Sequence, residues 1–405
     1  MARRIEMIKR ESYLSKIRPF IGRDVIKVLT GIRRCGKSVM LDLIKDELKG
    51  QGITENQILS VNFESRKAGH LESLEETYAH VRSFAANRKE KIYLFFDEVQ
   101  ELTGWEKMVN SCLVDFDADI YITGSNAKLL SGELATYLGG RYVEFRIFPF
   151  SFREVYESSP DTDINHVFQT YLTRGGMPFL YQVPIDEGSA MQYLNDVHDS
   201  IILKDIATRN KIRNIELLKR VILYLMANVG NTFSAKSISK FLKNEQRRVS
   251  TETIYNYINY CTEACFIHMV PREDLTGKKI LQFHEKIFIT DHGMREAIYG
   301  NNLRDINQIL ENIVFMELLR RGYQVHVGKK NNREVDFVAS LGKEKVYVQV
   351  AYLLATEETV EREFSVLEMI PDNYPKYVVS MDEVDRGRSG IRNVHVRDFL
   401  LQEKY

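Results

Sequence analysis

The sequence has no surplus of either charge: 56 Lys and Arg stand against 56 Asp and Glu over 405 residues. A zero balance removes any argument from global charge for nucleic acid or an acidic membrane surface, and leaves only local patches to weigh. Cysteine is scarce too. Cys35, Cys112, Cys261 and Cys265 show no paired metal-ligand spacing, and Cys261-x-x-x-Cys265 reads as two helix-packing residues. Scattered thiols suit a reducing compartment. No apolar run approaches the roughly 18 residues of a membrane helix. The opening Met-Ala-Arg-Arg-Ile-Glu lacks the apolar core of a signal peptide. Together these absences predict a cytoplasmic protein with no membrane partner. There is no internal repeat or low-complexity tract, and the length predicts two or three domains.

What is present begins with alternating strand-like and helical patterns, as in a parallel α/β domain. Strands are expected at 25–30, 58–63, 92–96, 120–123 and 142–148, with helices at 39–49, 71–87 and 105–114. Between the first strand and the first helix lies Gly31-Ile32-Arg33-Arg34-Cys35-Gly36-Lys37-Ser38, which satisfies G-x-x-x-x-G-K-[ST] at every required position. Glycines let backbone N–H groups wrap round phosphates with no Cβ in the way, and the helix N-terminus adds partial positive charge there. Gly31 through Val39 are therefore the expected ATP-binding residues. Lys37 is assigned to the β- and γ-phosphates and the Ser38 hydroxyl to Mg²⁺.

A second element supports the first. Ile92-Tyr93-Leu94-Phe95-Phe96-Asp97-Glu98 is an apolar strand ending in two carboxylates. Asp97 is expected in the magnesium shell and Glu98 as the group that polarises the attacking water. One strand later, Ile122-Thr123-Gly124-Ser125-Asn126 places small polar groups at a strand end, where Asn126, or Ser125 in second place, could sense a γ-phosphate. Arg141 and Arg174 are candidate transition-state cations, each with a domain-packing ion pair as the alternative. Glu64 reads equally as a site acid or an exposed loop residue.

These residues, with Gly140-Arg141-Tyr142, Pro149-Phe150-Ser151-Phe152-Arg153-Glu154, Gly175-Gly176-Met177-Pro178, Asp205-Ile206, Thr290-Asp291-His292-Gly293 and Glu334-Val335-Asp336-Phe337, give nearly the whole chain a resemblance. It resembles the bacterial and archaeal AAA-like ATPases of the AAA_14 type that carry a C-terminal DUF4143 domain. The resemblance implies an α/β P-loop NTPase sheet of the additional-strand, catalytic-glutamate branch, with the Asn126 strand between the P-loop strand and the Asp97 strand. It also implies a helical lid, a winged helix and a small nuclease-like domain downstream. The expected organisation is an ATPase domain at 1–155, a helical lid at 156–212, a winged helix at 213–295 and a PD-(D/E)xK-like domain at 303–405.

The residues downstream add their own reading. Three short helices and a hairpin between Leu217 and Asp291 fit a winged helix, with Ser234 and Ser250 as helix caps. Lys236, Lys240, Lys243, Arg247 and Arg248 against the single acid Glu245 fit phosphate contacts on DNA, or contacts within the chain or with protein. The reading helix offers only Asn256 and Asn259 as base readers. In the last segment Glu311, Asp336 and the run Val348-Gln349-Val350-Ala351 follow the order of a metal-dependent nuclease. Gln349 stands where an anionic ligand is needed and Ala351 where a lysine is needed, so cleavage is expected to be lost. The sequence thus points to an ATPase whose nucleotide state moves its downstream modules, with DNA and a second subunit as further partners. The alternative is a DNA-binding regulatory protein that holds ATP without turning it over.

Overall fold

The computed structural model describes residues 8–65, 73–86, 88–126, 140–244, 249–277 and 279–405. The chain divides into two compact units, one reaching Phe148 and including residues 263–265, the other holding the rest. In the first unit the elements are α1 (Glu11–Ile17), β1 (Ile26–Thr30), α2 (Lys37–Gly50), β2 (Ile58–Asn62), α3 (Leu74–Ala85), β3 (Ile92–Asp97), α4 (Trp105–Asp115), β4 (Ala118–Gly124) and β5 (Tyr142–Arg146). The five strands form one sheet in the order β2-β3-β4-β1-β5, and every pairing is parallel. The strand leading to Asn126 therefore lies between the P-loop strand and the Asp97 strand, as the resemblance implies. β1, β3 and β4 are buried at every position. Central strands covered on both faces carry continuous apolar runs, which is why their sequence shows no alternation. α3 and α4 pack Val81, Trp105, Met108, Val109 and Cys112 onto one core with Ile92, Leu94, Phe96, Ile120 and Ile122.

The second unit opens with α5 (Phe152–Ser158), α6 (Ile164–Arg174) and α7 (Glu187–Ser200), which continues as a π-helical stretch over Ile201–Thr208. Ser151 caps α5 through a reciprocal pair: its hydroxyl accepts from Glu154 N, and the Glu154 carboxylate accepts from Ser151 N at 2.8 Å. That capping box accounts for Ser151 and Glu154 in the Pro-Phe-Ser-Phe-Arg-Glu run. The Gly-Gly-Met-Pro and Thr-Asp-His-Gly runs meet each other. Asp291 accepts from Gly176 N at 2.8 Å, and a Cβ on Gly293 would lie 2.1 Å from the Arg174 carbonyl. Both motifs are a backbone joint that side chains would push apart.

Next come α8 (Ile215–Ala227), α9 (Ala235–Asn244) and α10 (Thr251–Glu263), then the hairpin β6 (Ile267–Asp274) and β7 (Lys279–Ile289). Ser234 and Ser250 cap α9 and α10, accepting from Ser237 N and Thr253 N, each at 3.1 Å. α11 (His292–Tyr299) and α12 (Ile306–Arg321) lead to β8 (Gln324–Lys330), β9 (Arg333–Leu341), β10 (Glu344–Val350), α13 (Glu357–Glu368), β11 (Lys376–Ser380), β12 (Arg392–His395) and α14 (Val396–Leu401). The hairpin does not stand apart from these strands. One seven-stranded sheet runs β12-β11-β10-β9-β8-β6-β7, with β6 pairing β8 in parallel from Arg272↔Val327 to Asp274↔Lys329. The ladder thus crosses the expected boundary between 295 and 303, joining segments that the sequence divides. No helix among the described residues is long and apolar enough to cross a membrane.

His292 gives this unit an acid sensitivity. Its Nε2 donates to the Tyr171 carbonyl at 2.6 Å, and burial pushes the imidazole down from 6.5 to about 4 despite that bond. The folded value lies below the unfolded one, so the stability from neutral His292 is fully present above pH 6.5 and drains as pH falls toward 4. The loss amounts to about 3 kcal/mol. Denaturant midpoints measured between pH 7 and 4 should fall, and His292→Gln should flatten that slope.

Candidate functional site

Thr30 ends β1 and the chain turns at once into the glycine loop. Gly31 has φ +150°, and a Cβ there would lie 2.1 Å from the Ile147 carbonyl, so only glycine passes. Gly36, at φ +100°, is the N-cap of α2 and no side chain caps that helix. The first N–H groups of α2 therefore have no partner within the helix, and they point with the positive end of its dipole into the loop. Lys37 is buried beneath the loop, where Nζ donates to the carbonyls of Gly31 (3.1 Å) and Ile32 (3.3 Å). Ser38 is exposed on the first turn.

The two acids follow on the adjoining strand end. Asp97 is held from both flanks: Asn62 on β2 donates to Oδ2 at 2.8 Å, and the Thr123 hydroxyl on β4 donates to Oδ1 at 2.5 Å. Thr123 Oγ1 also accepts from Glu98 N at 2.9 Å. Glu98 has left-handed backbone, φ 51° and ψ 50°, which costs a non-glycine residue about 1–2 kcal/mol. That kink turns its carboxylate away from Asp97 and toward Lys37, with Oε1 3.5 Å from Nζ. The Gln100 amide donates to the other oxygen at 2.5 Å. Burial alone would raise the Glu98 carboxyl, but Lys37, the Gln100 amide and Arg33 outweigh it and hold the group below its usual range. The result is an ionised carboxylate beside a buried ammonium, at the C-terminal edge of a parallel sheet where such folds place ligands.

Two sequence comparisons agree with this geometry. Residues 23–156 match the model of an AAA domain, and the chain is 40% identical over 405 residues to an uncharacterized protein of Haemophilus influenzae, covering 98% of this chain and 99% of that one. The chain belongs to the AAA-like P-loop ATPase family. An uncharacterized protein of Methanocaldococcus jannaschii is 30% identical over 417 residues, covering 97% of this chain and 91% of its own. The Orc1 protein of Aeropyrum pernix in complex with DNA is similar to 74% of this chain and covered over 94% of its own, at 12% identity and a TM-score of 0.32, which says nothing of activity. Residues 165–305 match a domain of unknown function (DUF8612), not the DUF4143 domain that the resemblance implied.

Other expected site residues of this AAA-like chain fall at varying distances from the loop. Asn126 and Ser125 are buried just beyond the end of β4, on the loop side of the sheet. Glu64 is exposed past the end of β2 and pairs with Arg33 at 3.2 Å. Arg141 is not brought to the site by its own chain. β5 runs parallel to β1, so Arg141, preceding Tyr142, lies at the opposite sheet edge, about 16 Å of strand from the loop. There it donates to Asn110 at 3.1 Å. The cation at the correct end of β5 is Arg146, the register partner of Thr30. Arg174, in the second unit, pairs with Glu187 at 2.9 Å. Burial keeps the Cys35 thiol protonated, with Sγ donating to Ile147 O at 3.2 Å.

Sequence reasoning missed Asn62 and Thr123 as holders of Asp97, although both stand at strand ends facing it in register. It also missed Arg10. This arginine is 2% exposed, and its guanidinium donates to the Cys35 carbonyl in the loop (3.3 Å) and to Phe148 O (2.9 Å). Beside it the Tyr13 hydroxyl accepts from Phe148 N at 3.1 Å. Arg10→Ala is expected to loosen the loop and weaken nucleotide binding about tenfold, the value of one charge-assisted hydrogen bond. Titration with a fluorescent nucleotide checks this.

A second cluster lies in the other unit. Glu311 on α12 and Asp336 on β9 both reach the ammonium of Lys286, and Gln349 joins them by accepting from Asp336 N at 3.2 Å. Position 351 carries no lysine, but a lysine enters the cluster from another element. Lys286, from β7, places Nζ 3.0 Å from Glu311, 2.7 Å from Glu334 and 3.6 Å from Asp336. Burial disfavours its charge, but Asp336, Glu311 and Glu334 outweigh that and keep it an ammonium.

Proposed function

We propose that this chain binds ATP with Mg²⁺ at Gly31–Ser38 and hydrolyses it, and that nucleotide state changes the conformation of the downstream modules. The observation that carries this reading is the ionised Glu98 carboxylate held beside Lys37, next to Asp97 braced by Asn62 and Thr123. The uncapped N-terminus of α2 fits phosphate, with Lys37 exchanging loop carbonyls for phosphate oxygens. Ser38 and Asp97 would hold the metal, one oxygen donor each, which suits an ion that keeps most of its waters. Bound Mg²⁺ would supply charge neutralisation at the phosphates. Glu98 takes a proton from water, and Arg146 or a neighbouring subunit's cation offsets the developing charge. The test is steady-state phosphate release by purified wild type, with and without Mg²⁺ and with and without DNA. Absence of magnesium-dependent release in both cases would sink the hydrolytic reading.

A DNA-contacting role for α8–α10 and the hairpin, read as a winged helix, has its own support. Lys236, Lys240 and Lys243 are all exposed on α9, while Ala235, Ile238 and Leu242 point inward. Spacing of four and three residues puts the three ammonium groups on one face. Glu245, Arg247 and Arg248 lie outside the described residues. On α10, Asn256 and Asn259 are exposed and Tyr257 is packed inside. The nuclease-like segment serves in this reading as a binding module without cleavage. A salt-titrated DNA-binding assay on the Lys240/Lys243/Arg247 triple-alanine variant decides the point: unchanged affinity removes the reader.

A further inference from the structure

The carboxylates of Glu311, Glu334 and Asp336 converge from two elements on one point, and a strand from a third element delivers a lysine to it. We infer that Lys286 is the resident cation of this cluster and takes the place a divalent metal would occupy, so that this chain's nuclease-like centre is closed to metal by its own side chain. Three observations carry the inference. First, Lys286 is 5% exposed and its ammonium lies within hydrogen-bond distance of Glu311 and Glu334, with Asp336 at 3.6 Å. An ammonium has three donors and no acceptor, so it satisfies carboxylates as a metal does but leaves no open coordination position. Second, the remaining carboxylate oxygens have partners. Asn307 donates to Glu311 Oε1 at 3.1 Å, Arg272 donates to Glu334 Oε2, and Val350 N donates to Asp336 Oδ2 at 2.9 Å. Third, Gln349 is turned away from metal duty. Its amide nitrogen donates to Glu363 at 2.8 Å while its oxygen takes Asp336 N.

A Mg²⁺ ion needs ligand oxygens at about 2.0–2.1 Å in an octahedron. The carboxylate oxygens it would need are already engaged by the Lys286 ammonium, Asn307, Arg272 and Val350 N. Spread around Lys286 as they are, Glu311, Glu334 and Asp336 make no metal-ligating group, and none is found among the described residues. What closes the centre is therefore Lys286 on the hairpin as much as Gln349 and Ala351. The inference stands independently of the P-loop reading, since it concerns only the second unit.

The test uses the nucleotide-free full chain and Mn²⁺ as probe, with free Mn²⁺ read by electron paramagnetic resonance. Any binding at the P-loop is subtracted with an Asp336→Asn control. Wild type and Lys286→Arg are expected to show no Asp336-dependent Mn²⁺ binding. Lys286→Met, which keeps the volume and removes the charge, is expected to gain one site per chain. That site should disappear again in Lys286→Met/Asp336→Asn. Mn²⁺ should raise the unfolding temperature of Lys286→Met and leave wild type unmoved. Where Lys286→Met alone does not fold, Lys286→Met/Glu311→Gln removes the uncompensated charge and keeps Glu334 and Asp336 as ligands for the same measurement. Asp336-dependent binding in wild type, or none in the folded methionine variants, overturns the inference.

Discussion

Glu98→Gln should cut magnesium-dependent phosphate release by roughly 10²–10⁴-fold, the range of a lost general base, while leaving ATP affinity close to wild type. The substitution is nearly silent in structure. Glu98 N keeps its bond to Thr123 Oγ1, and the left-handed backbone is unchanged. The Gln100 amide that donates to the carboxylate can rotate to present its oxygen, which has no hydrogen-bond partner as it stands. Only the capacity to accept a proton is removed. Lys37→Ala gives the contrasting result, loss of binding as well as turnover, because that ammonium sits under the loop itself. Single-turnover release at saturating ATP, with binding measured separately, distinguishes the two. A Glu98→Gln variant with wild-type release would show that the carboxylate is not the base.

The second large effect concerns stability and lies at the other edge of the same sheet. Lys27 on β1 and Asp119 on β4 form an ion pair with both side chains fully enclosed. Asp119→Ala should cost about 3–5 kcal/mol in denaturant unfolding, because it strands an ammonium that keeps, among the described residues, one hydrogen bond, to Arg23 O at 3.1 Å. Lys27→Met should cost less. Asp119 would keep the Gly22 N–H and the Tyr121 hydroxyl, both at 2.8 Å. Total stabilities of domains are about 5–15 kcal/mol, so the first variant approaches the threshold of folding at all. Catalysis per folded molecule should be unaltered, since neither residue faces the loop. A loss below about 1 kcal/mol for Asp119→Ala would mean that water reaches the pair.

Much of this was legible in the residues. The P-loop, the strand ending at Asp97 and Glu98, and the caps Ser234 and Ser250 are local patterns, and each falls where its spacing places it. The strand order came through the resemblance, since parallel neighbours far apart in sequence leave no local trace. Contacts that depend on register across the sheet were hidden for the same reason, as with Asn62 and Thr123 on Asp97, and Arg10 reaches the loop from the start of α1, a contact with no local trace. The place of Arg141 is not legible because a glycine-flanked arginine looks the same at either end of a strand, and only the direction of β5 separates it from Arg146. Lys286 could not be paired with Asp336 from sequence, as about fifty residues, two helices and a strand lie between them. α1, β12 and α14 are short, and no periodic pattern announces them.

The pairing of β6 with β8 has a practical reach beyond topology. A fragment ending near residue 300 would contain the three helices and the hairpin, yet β6 would present a bare row of amides and carbonyls to solvent. Such an open edge recruits other strands. The fragment should therefore self-associate, and material that looks like a well-behaved DNA-binding piece on paper would test aggregation instead. A fragment that starts near residue 303 inherits the complementary bare edge on β8, together with the carboxylates of Glu311, Glu334 and Asp336 stripped of Lys286. Neither half is a fair proxy for the intact unit, and dissection of this chain is best done by substitution.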